Sequence, residues 1–151
     1  MLIVRGAELV WDGIDEVPGG VVACADGVVV EPSSDGAVEL DASGCIVTPG
    51  LVNAHHHLLQ TAFRTLPGTR GVPMRDWLPR MASAYAAVGV DDELAHTAAS
   101  AGLAEALLCG VTTVADHHLT WPASTGDGVG IARAVSAAAA DLGTRLVFVP
   151  G

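Results

Sequence analysis

Thr48 to Gln60 reads TPGLVNAHHHLLQ, and the architecture of the whole chain hangs on these thirteen residues. An apolar run from Cys45 through Ala54, broken only by Pro49 and Gly50, has the composition of a short buried strand and empties into three consecutive histidines. Side chains alternate along a strand, so His55 and His57 point one way and His56 the other. Two residues of rise set the outer pair roughly 6.5 Å apart at their Cα atoms, and imidazole nitrogens hold zinc at about 2.0–2.1 Å. One metal ion fits between them. The competing reading is a polar strand end with solvated histidines.

Downstream, Gln60 and Arg64 share a face if a helical turn follows the histidines. Pro67 to Pro79 holds three prolines and two glycines and is expected to be loop, carrying Asp76, Trp77 and Leu78. Trp77 offers a flat apolar face to a heteroaromatic ring or simply packs the loop down. Asp91 and Asp92 precede a helix, a short acidic residue serving as its cap, with Glu93 in the first turn, Gly110 beyond the last, and Leu94, Ala98, Ala101 and Leu108 as its expected buried stripe. His96 lies off that stripe and is expected to be an ordinary exposed residue. Val111 to Asp116 is a second strand, again running into histidines, His117 and His118. A strand, a long crossover and another strand make a parallel unit that delivers both histidine clusters to the same end. One of these two, His118 in preference to His117, is assigned to line the pocket or orient substrate, against a hydrogen-bonded loop histidine. A loop with Pro122, Gly126, Gly128 and Gly130 precedes a helix over Ile131 to Leu142, with Ile131, Val135, Ala138 and Leu142 as its core face. Arg145 to Val149 begins a third strand.

Upstream, residues 1–46 alternate short β-rich runs with turns. Leu2–Val4, Glu8–Trp11, Val21–Ala25, Val28–Val30 and Ala37–Leu40 are separated by glycine-containing turns, of which Asp26-Gly27 is a type I′ hairpin signal. This segment is expected to support the site without carrying chemistry. Composition is that of an ordinary soluble domain, with 50% hydrophobic and 16% charged residues. The formal net charge of −10 and a pI near 4.7 argue against nucleic acid or an anionic membrane as partner. Cys24, Cys45 and Cys109 are widely spaced and without a CxxC pattern, so reduced core cysteines in a cytoplasmic protein are expected. The opening MLIVRGAELVWDG lacks the pattern of a signal peptide, and no apolar run is long enough to span a bilayer.

PGLVNAHHH, with Gln60, the DWL of Asp76 to Leu78 and the GVTTVADHH of Gly110 to His118, resembles the amidohydrolase superfamily of metal-dependent hydrolases. Within it, the stretch is similar to the branch of 8-oxoguanine deaminases and triazine hydrolases of the hydroxydechloroatrazine ethylaminohydrolase type. The resemblance spans residues 1–151 and only the front of the family's own length. It implies an α/β chain: residues 1–46 as part of a composite β-sandwich, and 47–151 as the first three strands and intervening helices of a TIM (β/α)8 barrel. Such a barrel takes about 250 residues, so this one would be incomplete.

The same resemblance implies a divalent cation, zinc or alternatively ferrous iron, held by His55 and His57 with a histidine and an aspartate from later strands. It places Gln60, Trp77 and His118 at the substrate, a small nitrogen heterocycle such as 8-oxoguanine, a guanine-like purine or a hydroxylated s-triazine. The reaction implied is hydrolysis of a carbon–nitrogen bond outside peptides. Activated water attacks the ring carbon bearing an amino or alkylamino group, and a later glutamate carries the proton to the departing amine. Residues 1–151 alone are then expected to be inactive, and the full-length form to be a homo-oligomer. Two alternatives stand beside this: a non-enzymatic remnant acting as a binding or assembly piece, and a cyclic amidase of the same superfamily. Dinuclear members of the latter kind commonly use a carboxylated lysine, and the early strands contain none.

Overall fold

The computed structural model describes residues 1–33, 35–121 and 128–151, and divides the chain at Pro49/Gly50 into two units. The apolar run around Pro49 is therefore two strands and not one. Ile46–Val47 belongs to the first unit, Leu51–His56 to the second, and the Pro-Gly pair separates them.

The described residues of the first unit, Met1–Pro49, form the strands β1 (Leu2–Arg5), β2 (Leu9–Trp11), β3 (Glu16–Pro18), β4 (Val22–Ala25), β5 (Val28–Val30), β6 (Val38–Asp41) and β7 (Ile46–Val47). They form a four-stranded sheet, ordered β5-β4-β1-β6, and a three-stranded sheet, ordered β3-β2-β7. Asp26 and Gly27 both take positive φ, 51° and 79°, and join β4 to β5 with Ala25 paired to Val28. That is the type I′ geometry Asp-Gly favours. Ile3, Ala7, Val10, Ala23 and Ala42 are buried. The three cysteines are free, as expected, but they are not core residues. Cys45 and Cys109 are exposed and Cys24 is half-buried. Cys45 closes the Ser43-Gly44 turn just before β7, and Cys109 caps a helix C-terminus, so neither occupies a regular inward position.

The second unit, Gly50–Gly151, runs β8 (Leu51–His56), a 3-10 turn (Leu58–Phe63), α1 (Met74–Val88), α2 (Asp92–Leu108), β9 (Val111–His118), α3 (Gly128–Leu142) and β10 (Arg145–Pro150). The three strands form one parallel sheet, ordered β10-β9-β8. Gly50 has a steric reason. A Cβ there would come within 2.8 Å of the Thr112 Cβ, so only glycine lets β8 lie this close to β9. The apolar core, including Leu58, Phe63, Leu103, Val114, Ile131 and Val135, lies between helices and sheet.

Two local expectations are corrected. Helix α1 begins at Met74, so Asp76, Trp77 and even Pro79 are helical. Pro73 takes the N-cap, and the alanine-rich run from Met81 to Ala87 outweighs the one hydrogen bond that Pro79 cannot donate. In α2, Asp91 is the member of the acidic pair that caps, its side chain accepting from the Leu94 N–H at 2.8 Å. The buried face, however, is Ala95, Ala98, Ala99, Gly102 and Leu103, while Leu108 is 89% exposed. The smallest side chains permit the closest approach, and that face packs against the 3-10 turn: a Cβ on Gly102 would meet Leu58 Cδ2 at 3.0 Å and Thr61 Oγ1 at 2.7 Å.

Helix α3 starts earlier than expected and absorbs Gly128 and Gly130, with Ile131, Val135, Ala138 and Ala139 buried and Leu142 half-buried. Pro122 and Gly126 of the expected loop lie outside the described residues. Among the described residues, no helix is long and apolar enough to cross a membrane.

Candidate functional site

Strand β8 ends at His56 after an irregularity in its pairing with β9 between Asn53 and His56. His57 then leaves the strand with φ −128° and ψ 85° and leads into the 3-10 turn. Alternation survives this exit. His55 Nε2 and His57 Nε2 lie 3.2 Å apart, with the two rings edge to face at 89°. Two nitrogens at 2.0–2.1 Å from one tetrahedral ion are about 3.3 Å apart, so the pair has the separation of one edge of such a coordination shell. His56 does not join them. Burial pushes its imidazole below the usual histidine range, with the Asp116 carboxylate opposing, and its Nδ1 has no hydrogen-bond partner among the described residues.

The chemistry of the pair depends on protons. His57 Nδ1 sits 2.5 Å from the His117 carbonyl oxygen, an acceptor only, so the Nδ1–H donates and Nε2 keeps its lone pair. The His117 ring stacks on His55 at 4.4 Å and 16°, and its Nε2 is 3.2 Å from the Ala54 carbonyl oxygen. His117 is thus the second-strand histidine that reaches the HxH pair. Period-two alternation puts His118 on the opposite face of β9 with Asp116. Sequence reasoning preferred His118 to His117 and missed Asp116; an acidic residue on an apolar strand, two positions before a histidine, was the available signal.

Gln60, Trp77 and His118 come together with His57, Met81 and Tyr85 around a cavity of about 210 Å³, beside the C-terminal ends of β8 and β9. Trp77 reaches it from the second turn of α1. The Gln60 amide bonds the Tyr85 hydroxyl, whose pKa burial pushes upward and this bond lowers. His118 is 2% exposed, holds the Thr120 carbonyl oxygen at 2.7 Å through Nε2 and stacks on Phe148. Asp116 is 0% exposed. Arg64, which shares the turn with Gln60, pairs instead with Glu105. His96, partly exposed as expected, lies 3.6 Å from Asp141. Among the described residues, no group of three or more histidine, cysteine or carboxylate side chains could hold a metal ion.

Residues 46–149 match the model of the Amidohydrolase family. The chain belongs to this family. Amidohydrolase relatives include the 8-oxoguanine deaminase of Pseudomonas aeruginosa, 34% identical over 147 residues, covering 93% of this chain and 31% of that protein. The 5-methylthioadenosine/S-adenosylhomocysteine deaminase 2 of Archaeoglobus fulgidus is 30% identical over 118 residues, covering 74% and 27% respectively. Among solved structures, the atrazine chlorohydrolase of Arthrobacter aurescens TC1 complexed with zinc superposes with a TM-score of 0.85 at 29% identity, over 99% of this chain and 35% of that one. The chain thus spans about a third of the length of the amidohydrolases it matches.

Proposed function

We propose that this chain is the N-terminal portion of a metal-dependent amidohydrolase that removes an amino or alkylamino group from a nitrogen heterocycle by hydrolysis. The observation that carries it is the 3.2 Å convergence of His55 Nε2 and His57 Nε2 at the end of a parallel strand. Residues 1–49 are its supporting β module, and 50–151 supply the first three strands of the barrel. His55 and His57 hold a divalent cation, zinc by preference. The separation and the free Nε2 lone pair fit that role, and the zinc-complexed relative supports the choice of metal. When bound, the cation supplies Lewis-acid activation of water.

The chain's own residues orient the reactants. The His117 carbonyl fixes the His57 tautomer. Trp77 and Met81 give the cavity an apolar wall for a flat ring. Gln60 and Tyr85 present an amide and a hydroxyl to the donor–acceptor edge of a heterocycle, and His118 closes the floor. The relatives' names, for 8-oxoguanine and 5-methylthioadenosine deamination, support a planar ring carrying an exocyclic amine. Structural and catalytic zinc sites take three or four protein ligands, so the remaining donors and the general acid–base group are expected outside residues 1–151.

Elemental analysis of the purified chain tests this reading. Zinc is expected in the unsubstituted protein and a loss of at least about tenfold in His55→Ala and in His57→Ala, with no ammonia released from 8-oxoguanine by any of the three. Equal zinc in all three contradicts the ligand assignment, and turnover by residues 1–151 alone contradicts the placing of the remaining donors outside them.

A further inference from the structure

Asp116 is wholly buried at the C-terminal end of β9 and belongs to neither the histidine pair nor any ion pair closer than 3.9 Å, the distance from its Oδ2 to His118 Nδ1. Its Oδ1 accepts the backbone N–H of Leu58 at 2.8 Å, a bond between residues 58 apart in sequence. Its Oδ2 has no hydrogen-bond partner among the described residues. A buried carboxylate is costly unless it is hydrogen-bonded or paired, and the bond from Leu58 shows what this one holds. Leu58 follows His57 directly, begins the 3-10 turn that carries Gln60, and is itself fully buried. The chain leaves the sheet at His57, so no strand partner holds the next N–H; Asp116, whose Cα register partner is His56, supplies the acceptor. The His57 imidazole is then held from two sides. The His117 carbonyl bonds its Nδ1 and the Asp116 carboxylate bonds the backbone just after it, both from one strand.

We propose that Asp116 is a positioning residue for the metal pair, fixing where His57 Nε2 points by holding the Leu58 N–H. The inference rests on the metal reading above. What Asp116 contributes is an acceptor at Oδ1, so asparagine retains the function and alanine loses it, whereas a purely space-filling or charge-based role would rank the variants differently. Val114, two residues earlier on the same face and also fully buried, provides a control that opens a cavity in the core and leaves the Asp116 acceptor in place.

Zinc affinity of the full chain, measured by competition with a chromophoric chelator, provides the test. Asp116→Asn is expected to bind within about threefold of the unsubstituted chain and Asp116→Ala to bind roughly 10- to 100-fold more weakly. Val114→Ala should keep its affinity even with a comparably lowered Tm. Unchanged affinity in Asp116→Ala, an equal loss in Val114→Ala, or a full loss in Asp116→Asn overturns the proposal. If Asp116→Ala does not fold, amide hydrogen exchange on the unsubstituted chain gives the second readout: a protected Leu58 N–H, slowed further by zinc, is expected, and exchange at the free-peptide rate overturns it. Failure of the metal reading is distinct, since the unsubstituted chain itself would then bind no zinc.

Discussion

Between His55 and His57, the difference between a ligand pair and two crowded rings is the location of one proton. The His117 carbonyl accepts from His57 Nδ1, which leaves Nε2 as a lone-pair donor facing its neighbour. The His117 ring has a lesser part, since the carbonyl belongs to the backbone and survives substitution. His117→Ala is therefore expected to weaken zinc binding by less than about tenfold, through loss of the stack on His55, against the larger loss in His57→Ala. A competitive zinc titration checks the ranking. The HxH spacing was legible in the sequence because alternation on a strand is a local rule. Asp116 and His117 were not, because their contacts cross from β9 to the β8 end, and only the strand register places them there. Trp77, Gln60 and His118 were nominated from sequence; their gathering around one cavity, with Tyr85 beside them, depends on where α1 lies.

At the scale of elements, the close packing of α2 on the 3-10 turn fixes the segment that follows the histidines. Gly102 sits in that contact, and two effects oppose each other there. Replacing a mid-helix glycine by alanine gains about 0.8–1.0 kcal/mol of helix propensity. Overpacking a tight contact costs about 1–3 kcal/mol, and the added methyl would meet both Thr61 Oγ1 and Leu58 Cδ2, two buried or half-buried side chains of the 3-10 turn. Overpacking wins, so Gly102→Ala is expected to lower stability by about 1 kcal/mol in urea denaturation despite the better helix former; a gain in stability would show that the contact is loose. The α2 cap was readable from Asp91, while its buried face was not. Spacing alone cannot choose between adjacent stripes of an alanine-rich helix, and the partner surface made the choice. Likewise Pro79 signalled a loop, and the helix-forming run after it prevailed.

For the molecule as a whole, the parallel sheet of the second unit has β8 and β10 as its outer strands, with Val147 53% and Val52 66% exposed. Unpaired strand edges beside exposed branched apolar side chains favour association. Sedimentation velocity is expected to show larger species as concentration rises, and Val147→Glu to suppress them; a concentration-independent monomer would contradict this. The alternation of strands and helices in this unit was legible from the apolar runs and their turn residues. The break at Pro49-Gly50 was harder to read, because a single apolar stretch serves two different sheets. The proposed function rests on one pair of nitrogens. Zinc K-edge X-ray absorption on the metal-loaded chain measures them most directly: two imidazole nitrogens at about 2.0–2.1 Å are predicted, falling to one in His55→Ala and in His57→Ala, whereas an oxygen-only shell, or an imidazole count unmoved by either substitution, would contradict the account.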